Sequence, residues 1–194
     1  PPPAYAESWS AVHADASNSD YSPFEPASDV AELWSLRIQG SIQIGPLPWT
    51  INLGPTSDAD GNLYVTSTET GCHLQALDGR TGARRWCAED LDLFAVVSSP
   101  VIDRDGHLYL ADGGGMHAFA ADGTRLWRTS LRGVPLSAQL TPDGNLVFVT
   151  HIGVTYVLDR ATGEPLIEPV EITPGLTWDP AQGLFACARG TEAC

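Results

Sequence analysis

One short string returns along this chain at a spacing that few folds can use. It reads Asp60-Gly61-Asn62-Leu63-Tyr64-Val65, then Asp105-Gly106-His107-Leu108-Tyr109-Leu110, then Asp143-Gly144-Asn145-Leu146-Val147-Phe148. A worn copy follows at Ala181-Gln182-Gly183-Leu184-Phe185-Ala186. The glycines at 61, 106, 144 and 183 lie 45, 38 and 39 residues apart. Asp before Gly suits a turn, because the Asp side chain bonds the backbone ahead of it and Gly accepts positive φ without a Cβ clash. A second hairpin follows each copy in step: GCHLQALDGRTGARRW over Gly71–Trp86, FAADGTRLW ending on Trp127, and VLDRATGEPLI ending on Ile167. Repeats of about 40 residues with four short strands each are the signature of propeller blades. The chain therefore reads as all-β, a β-propeller of four-stranded antiparallel blades.

Taken in order, residues 1–29 are rich in Pro, Ala, Ser and Asp without a sustained period. They read as an extended arm, with Trp9 and Tyr21 giving it something to bury. Residues 30–39 alternate as a strand. By position in the repeat, Trp34 corresponds to Trp86 and Trp127, which makes this strand the last of a blade whose first three are not upstream; in a closed ring it pairs with the final blade. Gly40 to Trp49 reads as a loop. Blades then span about 51–90, 95–130 and 135–171, and a fourth starts over 175–194. About three complete blades plus parts of others make an incomplete ring. Its remaining half is expected from a cleaved partner chain, a second subunit or a second copy.

The pattern L-x-A-L-D-x-x-T-G-x-x-x-W at Leu74–Trp86 resembles the tryptophan-docking repeat of quinoprotein-like (pyrroloquinoline-quinone-repeat) β-propellers. So does the opening, Trp9-Ser10-Ala11-Val12-His13-Ala14-Asp15, a polar stretch, then Leu33-Trp34-Ser35-Leu36. The resemblance covers nearly the whole chain and matches the N-terminal half of such a protein. It implies a ring of seven or eight blades with Trp34, Trp86 and Trp127 docking between neighbours, Ile167 taking that place in the third blade. The same repeat serves dehydrogenases, outer-membrane assembly lipoproteins and sensor ectodomains, so the likeness speaks for fold more than for function.

The net charge of −14, from 10 Lys+Arg against 24 Asp+Glu, repels phosphate backbones and anionic lipid, which argues against nucleic acid as a partner. No run approaches the roughly 20 apolar residues that a membrane helix needs. The chain opens on Pro1-Pro2-Pro3 and reads as a mature or trimmed product whose targeting segment has gone.

Four cysteines bear on compartment. Folding the first hairpin about Arg80 brings Cys72 and Cys87 nearly opposite, within disulfide reach. Cys187 and Cys194 flank a short turn and bridge likewise in this reading. Bridged hairpins point to a periplasmic or secreted setting. Zinc is the rival, but no C-x-x-C spacing is present. His13, His73, His107, His117 and His151 read as scattered, largely surface residues rather than metal ligands. The acidic turns at Ser57–Gly61 and Asp103–Gly106 lack the ligand series and distal Glu of a calcium loop, and the third copy has Thr141-Pro142-Asp143-Gly144 there, so a tight turn is the common element. Asp112-Gly113-Gly114-Gly115 reads as a flexible hairpin tip.

Three functions follow. A non-catalytic binding or assembly propeller is favoured, with no catalytic residue assigned and no cofactor or metal required by this segment. The alternative is part of a dehydrogenase that oxidises an alcohol or sugar with pyrroloquinoline quinone and calcium. The resemblance implies an adjacent Cys-Cys pair under the quinone in many such enzymes, and this sequence has none. The third is a structural role in which half-rings assemble.

Overall fold

The computed structural model describes residues 10–11, 31–44, 47–50, 54–172, 176–179 and 184–187. Apart from one 3-10 helix, Leu93–Val97, the regular structure is β throughout. A two-stranded hairpin pairs β1 (Ser41–Ile44) with β2 (Leu47–Thr50). Three four-stranded antiparallel sheets follow, each a consecutive meander. Blade one is β3 (Thr56–Ser57), β4 (Asn62–Thr66), β5 (Leu74–Asp78) and β6 (Arg84–Ala88). Blade two is β7 (Val101–Ile102), β8 (Leu108–Ala111), β9 (Gly115–Phe119) and β10 (Arg125–Ser130). Blade three is β11 (Pro135–Leu140), β12 (Leu146–Thr150), β13 (Val154–Leu158) and β14 (Val170–Glu171). A last pair, β15 (Leu176–Asp179) and β16 (Leu184–Cys187), is antiparallel.

The period-2 alternation of a strand sends neighbouring side chains to opposite faces, and blade two uses both faces for packing. Leu108, Leu110 and Phe119 face blade one and join Tyr64, Leu74 and Ala76 in one cluster. Tyr109, Ala111 and Met116 face blade three and join Leu146, Phe148 and Tyr156 in another. Every residue of β8 and β9 is consequently buried, whereas the fourth strands β6 and β10 are largely exposed. The first strands converge instead: β7 touches both β3 and β11. Sheets that meet along their first strands and show their last to solvent are radially arranged blades. Ser10 reaches this converging edge, its carbonyl accepting the Ile102 N–H at 2.9 Å.

Three readings of the sequence change. Residues 31–40 form no strand, although Trp34 lies in the expected seat. A strand exists only through a ladder partner, and among the described residues none runs beside this segment. Gly40 to Trp49, read as a loop, contains the hairpin β1–β2, whose alternating Ser41-Ile42-Gln43-Ile44 finds partners in Leu47–Thr50. In blade three, Pro165 and Pro169 interrupt the outer edge. The chain bridges once at Leu158–Pro165 and resumes only at β14, leaving Ile167 50% exposed rather than packed between blades. Trp9, Tyr21 and Cys194 lie outside the described residues, as does the side chain of Cys187.

Candidate functional site

The interface between consecutive blades is built from the repeat itself. In blade one, Asp58 is the first residue of the turn before β4; its Oδ1 accepts the backbone N–H groups of Asp60 and Asn62. Its Oδ2 accepts the Tyr64 hydroxyl at 2.7 Å. The Tyr64 ring meets Trp86 of the same blade with centroids 6.0 Å apart. Trp86 then crosses to blade two, where its Nε1–H donates to the Ala121 carbonyl at 2.8 Å and its ring lies over Gly123.

Blade two repeats the set. Asp103 holds the backbone N–H groups of Asp105 and His107, and accepts the Tyr109 hydroxyl at 2.9 Å. Tyr109 meets Trp127 at 5.9 Å, and Trp127 donates to the Arg160 carbonyl at 2.9 Å with its ring over Gly163. Burial, and then the adjacent carboxylate, push both tyrosine hydroxyls well above their ordinary pKa, so they stay protonated donors. Trp34 makes the same contact one blade earlier: its Nε1–H donates to the Gly79 carbonyl at 3.0 Å and its ring lies over Gly82. Blade three has lost all three members at once, since Thr141, Val147 and Ile167 stand where Asp, Tyr and Trp stand in the others. The turn survives there because Thr141 Oγ1 accepts the Asn145 N–H.

The receiving turns are shaped by their own acids. Asp78 accepts the N–H groups of Arg80 and Thr81, and its carboxyl is held at about 2, chiefly by the Arg85 guanidinium and then by Thr81. Asp159 repeats the arrangement with Ala161 and Thr162, and the Thr162 backbone lowers it in the same direction. The residue after the first position of each turn, Gly79, Ala121 or Arg160, thus presents its carbonyl to an indole N–H.

Asp103, Asp105 and His107 are the one group of three among the described residues whose ligand atoms could hold a cation together. Their geometry does not fit calcium. Arg160 of blade three already reaches Asp103 Oδ2 at 2.8 Å and Asp105 Oδ2 at 3.2 Å. With both Asp103 oxygens engaged by backbone, tyrosine and guanidinium, a metal would have to displace an existing positive charge. The cluster is a bond between blades two and three. The Cys72–Cys87 bridge joins residues 15 apart in sequence, with Cα atoms 5.3 Å from each other.

The glycine tip is less free than its composition suggests. Asp112 Oδ1 accepts Gly114 and Gly115 N–H, and Asp92 Oδ1 accepts Gly113 N–H. His117, fully buried, sets Nε2 3.0 Å from Asp112 Oδ2 and stacks on Phe119. Burial works against ionisation of Asp112, yet the His117 contact and the backbone donors outweigh it and hold the carboxyl at about 2. His73 is also buried, with Nδ1 3.0 Å from the Ser67 carbonyl, so two of the histidines read as surface residues are interior. Sequence reasoning missed the pairing of Asp58 with Tyr64 and of Asp103 with Tyr109 and Arg160. The signal was present: Asp and Tyr recur six residues apart in both copies.

Radial four-stranded sheets, two of them docking a tryptophan on a turn of the next, define a β-propeller fold, incomplete over these residues. No protein-family model matches the chain. Protein Rv3035 of Mycobacterium tuberculosis (strain ATCC 25618 / H37Rv) is 28% identical over 194 residues, covering 98% of this chain and 45% of its own. The chain thus spans about half the length of the curated relative it matches. Among solved structures, quinohemoprotein alcohol dehydrogenase from Comamonas testosteroni is similar with a TM-score of 0.58 at 19% identity, over 81% of this chain and 26% of that one. BamB from Moraxella catarrhalis is similar with a TM-score of 0.50 at 18% identity, over 71% and 40%. These likenesses show the fold. Among the described residues, no helix is long and apolar enough to cross a membrane.

Proposed function

We propose that this chain is part of an extracytoplasmic propeller that binds and assembles rather than catalyses, its ring completed by further blades. The observation that carries the reading is where the buried polar groups are spent. Asp58, Asp103 and Asp112 each hold a turn and a neighbouring side chain, so the acids of these blades maintain architecture. The apolar outer face of blade three, with Val149, Leu166, Ile167 and Val170 36–51% exposed, supports the need for further packing partners. The Cys72–Cys87 bridge supports an oxidising compartment.

The test is addition of pyrroloquinoline quinone and calcium to the intact ring, with alcohol or sugar substrate and a redox dye. No turnover and no quinone absorbance shift are expected; dye reduction above the no-quinone control would replace this reading with the dehydrogenase one.

A further inference from the structure

We propose that the connection between blades one and two is a docking platform, built around Leu93 and Phe94, for a basic and apolar segment of a partner protein. The proposal rests on the reading of this chain as a binding and assembly propeller, and names where it grips and what.

Residues 89–100 join β6 to β7, whereas residues 131–134 suffice to join β10 to β11 at the next interface. The longer connection is anchored from beneath. Leu91 and Ala95 are buried in the cluster shared by blades one and two, and Val96 is buried beside them. Asp92 Oδ1 accepts the N–H groups of Phe94 and Gly113, and the Asp92 carbonyl accepts the Ala95 N–H. The Asp92 N–H in turn donates to the Asp112 carboxylate. The Phe94 ring lies against Gly113, where a Cβ would come within 3.0 Å of it.

Above these anchors, Leu93 and Phe94 are 43% and 51% exposed. They stand between two blades that each have all four strands, so their exposure does not come from a missing neighbour sheet. A patch held in place before contact gives up little freedom on binding, which lets a small surface act as an anchor. Charge selects the occupant. Glu89, Asp90 and Asp92 are exposed beside the two apolar side chains, and no basic residue lies in this stretch. Arg125 pairs with Asp90, whereas among the described residues no cation pairs with Glu89 or Asp92. The rest of the chain offers no complement. Residues 1–30 carry Glu7, Asp15, Asp20, Glu25 and Asp29 with no Lys or Arg, and residues 173–194 carry Arg189 against Asp179 and Glu192. A second copy would bring its own net charge of −14. Like charges facing across an interface are disfavoured, so the fitting occupant is a different protein with Lys or Arg among apolar side chains.

Fluorescence anisotropy with residues 1–194 and two short labelled peptides tests this. One peptide alternates leucine with lysine, the other leucine with glutamate. The lysine peptide is expected to bind, and the glutamate peptide to bind about 10-fold more weakly or less. Leu93→Ser combined with Phe94→Ser should weaken the lysine peptide about 10-fold or more, with urea unfolding showing that the fold is kept. Leu126→Ser, 48% exposed on β10, is expected to leave binding unchanged. Glu89→Lys should weaken binding at low ionic strength and lose that effect at high salt. No binding by the lysine peptide, equal binding of both peptides, or full affinity in either the Leu93→Ser/Phe94→Ser or the Glu89→Lys variant would overturn the platform. Each of these leaves the non-catalytic reading standing. Quinone-dependent dye reduction beside the expected peptide results would strike that reading and leave the platform.

Discussion

Gly82, Gly123 and Gly163 hold φ values of +71°, +88° and +75° beneath the three indoles, and a Cβ built on them would sit 2.5–2.8 Å from the ring. Gly61 has a similar φ of +80° with nothing within 4 Å of that position. Replacing each by Ala separates backbone strain from the docking contact. Gly61→Ala is expected to cost about 1 kcal/mol, whereas Gly123→Ala adds ring displacement for roughly 2–4 kcal/mol in all. Urea unfolding checks the difference; equal costs would remove the docking contact from the energetics. Trp86→Phe keeps most of the ring and loses the bond to Ala121, about 1 kcal/mol, and Trp86→Ala costs more, roughly 2–3 kcal/mol for a half-buried indole. The glycine and the tryptophan were legible in the sequence because each recurs at a fixed place. Their contact was not, since it joins residues 35 apart at Trp86 and Ala121 through an angle set by the next sheet.

The acids make a prediction of definite sign. Asp78 and Asp112 both lie near 2 in the fold, against an ordinary value of 3.8. A carboxyl depressed on folding contributes fully above the unfolded value, and that contribution is lost as pH falls from about 4 through 2. Urea midpoints are expected to be level from pH 5 to 7 and to drop steeply below 4. Asp112→Asn should be less stable at pH 7 and show a shallower acid slope, because it no longer takes up the proton; an unchanged slope would discard the His117–Asp112 contact as its source.

At the scale of elements, the blades were readable because turn, alternation and terminal tryptophan agree with one another in each period. Disagreement marked the exceptions. The hairpin β1–β2 carries two prolines and so looked like a loop, while its flanking alternation was the stronger signal. Residues 31–40 alternate like a strand and have no ladder partner among the described residues, which no local pattern reports. Arg160 could not be foreseen as a partner of Asp103, 57 residues away, because its role depends on which turn the neighbouring blade presents. Arg160→Ala leaves Asp103 buried without its counter-charge. A cost of roughly 2–3 kcal/mol is expected, less than for a fully buried pair because the Arg160 side chain is 25% exposed. A double-mutant cycle with Asp103→Asn should show coupling between blades two and three, and additive costs would contradict it. The Cys72–Cys87 bridge closes a 15-residue separation, so its reduction is expected to lower blade-one stability by about 3 kcal/mol, read as a shifted urea midpoint with and without reductant.

For the whole molecule, the repeat sets a radial architecture that these residues populate only in part. Blade three offers apolar side chains at its outer face, and blade one holds a groove beside a strandless tryptophan segment. Neither surface is expected to remain open to water in a soluble particle. Function was the least legible level, because the repeat specifies how blades join and says little about what their loops grip. Native mass measurement of the purified chain tests the central claim most directly. Residues 1–194 alone are expected to associate or to bind the completing blades. A stable, folded, monodisperse particle of 20.7 kDa would contradict it.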